Sequence, residues 1–285
     1  MRKGNEERIL ITAPSDAACD VLTLRIAASL SELNARRRSE GDKPTVLLRF
    51  NNFQRKLESL PVQLLSHSNL EDGRFKLLST LGDADIVVCT CVCSAFLPWG
   101  DLDRGRLFTH AFVDESCQAT EGEILIPLSN VGVDCSVILG GDPRQLGPQI
   151  YDPECASSGL TISLLERLRT LPLYESVEYA IATTLSNNYR SHPALLDVPS
   201  SLFYNKALLP CARSEVTDSA LNWEDLHNSS FPLLFYDAAD GEGVCEVDMP
   251  SFFNKRECDV VVDFVRRLVE SKEVEIGTKV RRGEL

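Results

Sequence analysis

Phe112-Val113-Asp114-Glu115-Ser116-Cys117-Gln118 is apolar up to Val113 and then turns abruptly acidic. An apolar run from Ala111 that ends in two adjacent carboxylates is the pattern of a buried parallel strand. Such a strand delivers its acids to the carboxyl edge of a sheet, where α/β folds hold their ligands. Paired carboxylates there can hold Mg²⁺ and polarise a water for attack on a nucleotide γ-phosphate. An ordinary strand running into a solvated acidic turn produces the same residues. The flanking chain has to decide.

Downstream, the next apolar run is Ser136-Val137-Ile138-Leu139, and it empties into Gly140-Gly141-Asp142-Pro143-Arg144-Gln145-Leu146-Gly147-Pro148. A Gly/Pro-rich loop at a strand end is rigid and lets backbone approach a ligand closely. It presents Asp142, Arg144 and Gln145 outward, where Gln can orient a water or sense a phosphate and Arg can neutralise phosphate charge. Upstream, Asp85 to Cys91 is a near-continuous apolar strand with Thr90 near its end. A buried Thr that satisfies a neighbouring carbonyl fits Thr90 as well as a phosphate contact does. Arg8 to Ser15 reads as a strand, a small-residue turn and a helix start capped by Ser15 or Asp16. That helix carries one apolar stripe of Ala18, Leu22, Ile26, Leu30 and Leu33. The turn is a possible anion site, and a plain strand-to-helix connection explains it too. Asn34 to Lys43 reads as a loop, Thr45 to Phe50 as a strand, and residues 51–82 as one or two short surface helices.

Glu121 and Glu123 open a solvated helix start, and Leu160 to Arg169 is a short helix. The domain boundary is expected at Tyr174, giving units 1–174 and 175–285. Beyond it, Ile181 to Leu185 is strand-like and leads into Asn187-Asn188-Tyr189-Arg190-Ser191-His192-Pro193. Arg190 after a strand suits an arginine finger, although a surface arginine is the default for one such residue. His192 beside Pro193 reads as structural. Phe231 to Tyr236 is a predicted strand, and 211–230 a flexible insertion. Asn254, with Glu257 three residues on, caps a helix whose expected core face is Cys258, Val261, Val262, Val265 and Leu268.

The 285 residues are 44% hydrophobic and 25% charged, in the range of a globular protein with a sizeable core. No apolar run approaches the ~20 residues of a membrane-spanning helix, and Met1-Arg2-Lys3 lacks a signal-peptide core, so an intracellular chain is expected. Ten cysteines fit reduced, buried thiols. Cys89, Cys91 and Cys93 sit ~6.6 Å apart on a strand and cannot converge on one ion, and no Cys-x-x-Cys pair occurs, so no structural zinc is expected. A net charge of −13 opposes nonspecific attraction to nucleic acid.

Taken in order, Thr12-Ala13-Pro14-Ser15, Asp114 to Gln118, Gly141 to Pro148 and Asn188 to Pro193 resemble motifs Ia, II, III and IV of superfamily 1 helicases. The branch is the one that includes the nonsense-mediated-decay helicase. Leu195-Leu196-Asp197-Val198-Pro199 and Pro250-Ser251-Phe252-Phe253-Asn254 bring the resemblance closer to the Moloney-leukaemia-virus-10 and Armitage group of RNA-silencing helicases. The resemblance implies an α/β fold of two RecA-like P-loop-NTPase-type domains with parallel sheets, both incomplete here. It also implies an ATP-dependent RNA helicase that moves 5′ to 3′ and takes ATP and Mg²⁺ as cofactors. On that basis Asp114 binds Mg²⁺ with the nucleotide phosphates, Glu115 orients the attacking water, and Gln118 links the acidic motif to its neighbours. Gln145 with Asp142 senses the γ-phosphate, Arg144 and Tyr189 complete the nucleotide-binding set, and Arg190 stabilises transition-state charge. Thr12, Pro14, Ser15 and Thr90 line the single-strand track through backbone contacts. Implied partners are single-stranded or partly duplex RNA and proteins of RNA silencing or RNA decay, in the cytoplasm or ribonucleoprotein granules.

The family also needs Gly-x-x-x-x-Gly-Lys-Ser/Thr ahead of motif Ia, yet none of the 16 glycines here is followed by lysine. Nothing like motif V or VI follows either. The chain thus resembles the middle of a helicase core, expected to hydrolyse ATP poorly by itself. A non-catalytic RNA-binding scaffold derived from the same fold is the alternative. A DNA-directed relative is a third, because backbone contacts do not report the sugar.

Overall fold

A computed structural model describes residues 7–98, 108–175, 181–238, 243–245 and 252–271. The chain divides into two compact units, Met1–Ala182 and Thr183–Leu285. The boundary expected at Tyr174 falls inside a short helix, α5 (Pro172–Glu175), within the first unit.

The first unit contains β1 (Ile9–Ala13), α1 (Asp16–Ser39), β2 (Leu47–Arg49), β3 (Leu70–Glu71), β4 (Arg74–Phe75), β5 (Ile86–Thr90) and β6 (His110–Val113). These are followed by α2 (Glu121–Leu128), β7 (Ser136–Leu139), α3 (Pro153–Cys155), α4 (Leu164–Arg169) and α5. Five strands form one all-parallel sheet in the order β2-β5-β1-β6-β7. This is the α/β architecture expected from the apolar runs, since a parallel strand covered on both faces reads as unbroken hydrophobic sequence. Leu10, Val87, Val88, Cys89, Ala111 and Val113 are buried along it. Each fully buried Val or Leu contributes about 1.5–3 kcal/mol.

The register aligns the strand ends. Ala13 stands opposite Thr90, Thr12 opposite Val113, and Val113 opposite Leu139. The turns after β1, β2, β5, β6 and β7 therefore all open on one carboxyl edge. The hydroxyl of Ser15 caps α1 by accepting from the Ala18 amide, at 3.2 Å. The helix packs Ala18, Leu22, Ile26 and Leu30 against Ala13, Leu47 and Val88. It runs to Ser39, through the stretch expected to be a loop, because Arg36, Arg37 and Arg38 complement the carboxyl end of the helix dipole. Leu33 of the expected stripe is exposed.

Residues 51–82 are not regular helices. They form two 3-10 turns, Leu57–Ser59 and Val62–His67, and the β3–β4 hairpin. Asp72 and Gly73 adopt φ of 50° and 73° there, the Asp-Gly hairpin signature. Leu60, Leu64 and Phe75 bury themselves beneath it.

In the second unit, β8 (Asn187–Asn188) pairs in parallel with β9 (Leu209–Pro210) around α6 (Pro193–Phe203). Next come α7 (Ser214–Thr217), the antiparallel pair β10 (Gly243–Cys245) and β11 (Phe252–Asn254), and α8 (Lys255–Glu270). The strands expected over Ile181–Leu185 and Phe231–Tyr236 do not form, since neither finds a partner ladder among the described residues. The 211–230 insertion carries α7 and a packed Trp223. Asn254 caps α8 as expected, accepting from the Arg256 and Glu257 amides. The face that helix buries differs from the expected one. Phe264 packs edge-to-face on Trp223 and Tyr236 and Leu268, one turn on, is half-buried as expected, while Cys258, Val261, Val262 and Val265 are exposed. The charged segment after Gly277 lies outside the described residues.

Candidate active site

The acidic pair sits where the sequence places it, at the end of β6. The Asp114 amide donates to the Thr12 carbonyl at 2.8 Å, which fixes the first carboxylate against the central strand β1. Glu115 then takes φ of +51°, a left-handed conformation rare for a side chain of its size. Four hydrogen bonds hold it. The Gln118 amide donates to the Glu115 carbonyl at 2.9 Å, and the Gln118 side-chain amide donates to Glu115 Oε2 at 2.8 Å. Ser116 donates both its amide and its hydroxyl to the Gly140 carbonyl, each at 2.8 Å. Thr120 starts α2 with a capping box to Glu123. Arg167 of α4 makes a bidentate pair with Glu121 at 2.7 Å to each oxygen and lowers the carboxyl pKa by hydrogen bonding to it.

The loop after β7 is thereby stapled to the acidic turn. The Gly140 amide donates to the Val113 carbonyl at 2.8 Å. A Cβ at Gly141 would lie 2.9 Å from Ser116 Oγ and 3.0 Å from the Cys117 amide nitrogen, so only glycine fits. Asp142 organises the rest, accepting from the Arg144 amide at 2.9 Å and from the Gln145 side-chain amide at 2.8 Å. Asp114, Glu115, Gln118, Asp142, Arg144 and Gln145 thus lie on two adjoining turns at one sheet edge. Ser116 and Gly141, which join those turns, were passed over in the sequence; the Gly140-Gly141 pair at a strand end was the available signal.

Of the proposed track residues, Ser15 is exposed and Pro14 half-buried at the turn after β1. Thr90 is half-buried, its hydroxyl accepting from the Cys93 amide at 3.1 Å. Thr12 is a correction. It is fully buried, with its hydroxyl 3.4 Å from the Phe112 carbonyl, so it presents no surface to a nucleic-acid strand.

Behind this edge lies a buried polar network that the sequence analysis missed. Arg49, with no exposed surface, donates to Asp20 at 2.9 Å and to Asp16 at 2.7 Å. Arg55 adds a 2.6 Å bond to Asp20. A charged residue inside an apolar strand was its signal. In the second unit, Asn188 Oδ1 accepts from the Arg190 amide at 3.0 Å and the Ser191 amide at 2.8 Å, forming a turn that presents Tyr189 and Arg190 to solvent. His192 caps α6, with Nδ1 accepting from the Ala194 amide. That is the structural role its neighbour Pro193 suggested.

Among the described residues no three His, Cys, Asp or Glu side chains gather as a metal cage. Mg²⁺ in nucleotide sites takes one or two carboxylates, with phosphate and water oxygens filling the remainder. Asp114, at the end of β6 on the carboxyl edge, is a carboxylate that fits such a site.

Known proteins match the chain over most of its length. A family model described as an AAA domain matches residues 54–152, and a second of the same description matches residues 160–281. RNA helicase Mov10l1 of Mus musculus is 34% identical over 302 residues, covering 97% of this chain and 24% of that protein. The Homo sapiens Mov10l1 is 34% identical over 284 residues, covering 93% and 22%. The mov-10-B.1 protein of Danio rerio is 35% identical over 271 residues, covering 92% and 26%. The chain spans about a quarter of the length of these curated relatives. With the α/β sheet and the two stapled turns, these matches place the chain in the MOV-10 group of superfamily 1 helicases.

Proposed function

We propose that this chain is the part of an ATP-dependent RNA helicase core that holds Mg²⁺ and activates the attacking water. The observation that supports this best is the staple between the two turns, Ser116 to Gly140, which carries the acidic pair and the Asp142–Gln145 loop together. Asp114 is assigned to the metal, which when bound would neutralise charge on the phosphates. Glu115 orients and deprotonates the water, with Gln118 fixing its carboxylate. Gln145 and Asp142 register the γ-phosphate, Arg144 and Tyr189 contact the nucleotide, and Arg190 neutralises developing charge. Pro14, Ser15 and Thr90 contact the RNA backbone. RNA silencing or RNA turnover in the cytoplasm is the setting that the resemblance of the motifs implies, with proteins of those processes as partners.

The second reading is a nucleotide-independent RNA-binding scaffold derived from the same fold. ATPase assays with and without single-stranded RNA separate the two. The chain as it stands is expected to turn over poorly. Joined to a relative's Gly-Lys-Ser/Thr unit, it should gain RNA-stimulated turnover, and Glu115→Gln should lower that by about 10²–10³-fold. Equal rates for the joined form and its Glu115→Gln variant would remove the catalytic role. RNA binding with no gain of turnover would favour the scaffold.

A further inference from the structure

The turns that follow β2 and β5 leave two phenylalanines in the open on the carboxyl edge. Phe53 is 46% exposed and Phe96 40% exposed. Their rings meet edge-to-face, with centroids 5.9 Å apart and planes at 89°. Exposed aromatic pairs are usually loose surface residues, but both turns are tied down. The Asn51 amide donates to Asn69 Oδ1 at 2.7 Å, and Arg55 reaches Asn51 Oδ1 at 2.8 Å and Asp20 at 2.6 Å. Phe96 closes the 3-10 turn Cys93–Phe96, whose first amide is held by the Thr90 hydroxyl. The Phe50 amide donates to the Val88 carbonyl at 2.8 Å, and Cys93 Sγ lies 3.9 Å from the Phe50 carbonyl, joining the two turns. Arg49 and Arg55 carry the connection to Asp16, in the first turn of α1 next to Ser15.

These bonds link the two turns that carry the pair to Thr90 and to the start of α1 beside Ser15. We propose that Phe53 and Phe96 form a preorganised stacking platform for the unpaired bases of a single-stranded nucleic acid. The inference rests on the track reading given above and adds to it the groups that grip the bases. An edge-to-face pair leaves one ring face open, and every base has a π-face to set on it. A chain of net charge −13 gains little from phosphate neutralisation. Stacking needs no positive charge, so affinity should depend only weakly on salt.

The test uses the full chain and a single-stranded RNA oligonucleotide carrying 2-aminopurine, whose fluorescence is quenched when it stacks. The wild type should bind with quenching. Phe53→Leu/Phe96→Leu keeps apolar bulk; it should retain the thermal midpoint, lose the quench and weaken binding roughly ten-fold. Ser15→Gly should weaken binding and leave the quench in place. Unchanged affinity and quench in the double variant overturns the platform and leaves the track reading standing. A wild type that binds no RNA overturns both. Self-association that disappears in the double variant, with no RNA bound, assigns the pair to protein contact instead.

Discussion

Glu115 and Gly141 lie on the two turns that Ser116 joins, and each occupies a place that few residues tolerate. The left-handed φ of Glu115 costs on the order of 1–3 kcal/mol, so it persists only because Gln118 and the Ser116–Gly140 bonds hold it. Gly141 is required for a different reason, since its Cα lies too close to Ser116 and Cys117 for any side chain. Gly141→Ala should destabilise the fold by about 1–3 kcal/mol, because the close atoms include backbone that cannot swing aside. Urea denaturation would show this as a lower midpoint with an unchanged slope. An unaltered midpoint would mean that the two turns are not packed as described.

At the level of elements, α1 is locked to β2 by charge, through an arginine with no exposed surface. Arg49 has two carboxylate partners, Asp16 and Asp20, and Asp20 is itself almost fully buried. Stranding a buried carboxylate needs both its partners removed, so Arg49→Ala with Arg55→Ala should cost at least about 3–5 kcal/mol, while Arg49→Ala alone, which leaves Arg55 on Asp20, should cost less. Equilibrium unfolding of the three proteins checks this, and equal losses would discard the pairing argument. This network also marks how far the sequence could be read. Strand ends, the Ser15 and Asn254 caps and the acidic turn were legible, because parallel strands and caps have local signatures. The burial of Thr12 depends on which way a strand residue points in a formed sheet. The rotation of α8 depends on Trp223 and Tyr236, which are distant in sequence. The Asp72-Gly73 hairpin did have a local signature, and the irregular charge around it obscured it.

Across the molecule, buried thiols tie stability to pH. Burial pushes Cys19 and Cys93 up to about 12 and Cys91 up to about 11, and holds Cys89 well above the usual thiol value. These folded-state values lie above the unfolded one, so the contribution is complete below about pH 9 and is lost as pH rises toward 12. Midpoints should fall on the alkaline side by up to about 1.4 kcal/mol per pH unit for each thiol that stays protonated only in the fold. Cys19→Ala/Cys93→Ala should flatten that decline, and an identical decline would assign it to other groups. The strand order has a consequence in time. β1 and β2 pair with β5 and not with each other, although both precede it in the chain. Their ladders with it wait until Ile86 to Thr90 has been made, roughly 40 residues after β2. Through that interval the apolar stripe of α1 lacks Val88 as a partner, and the arrival of one five-residue strand sets both neighbours at once.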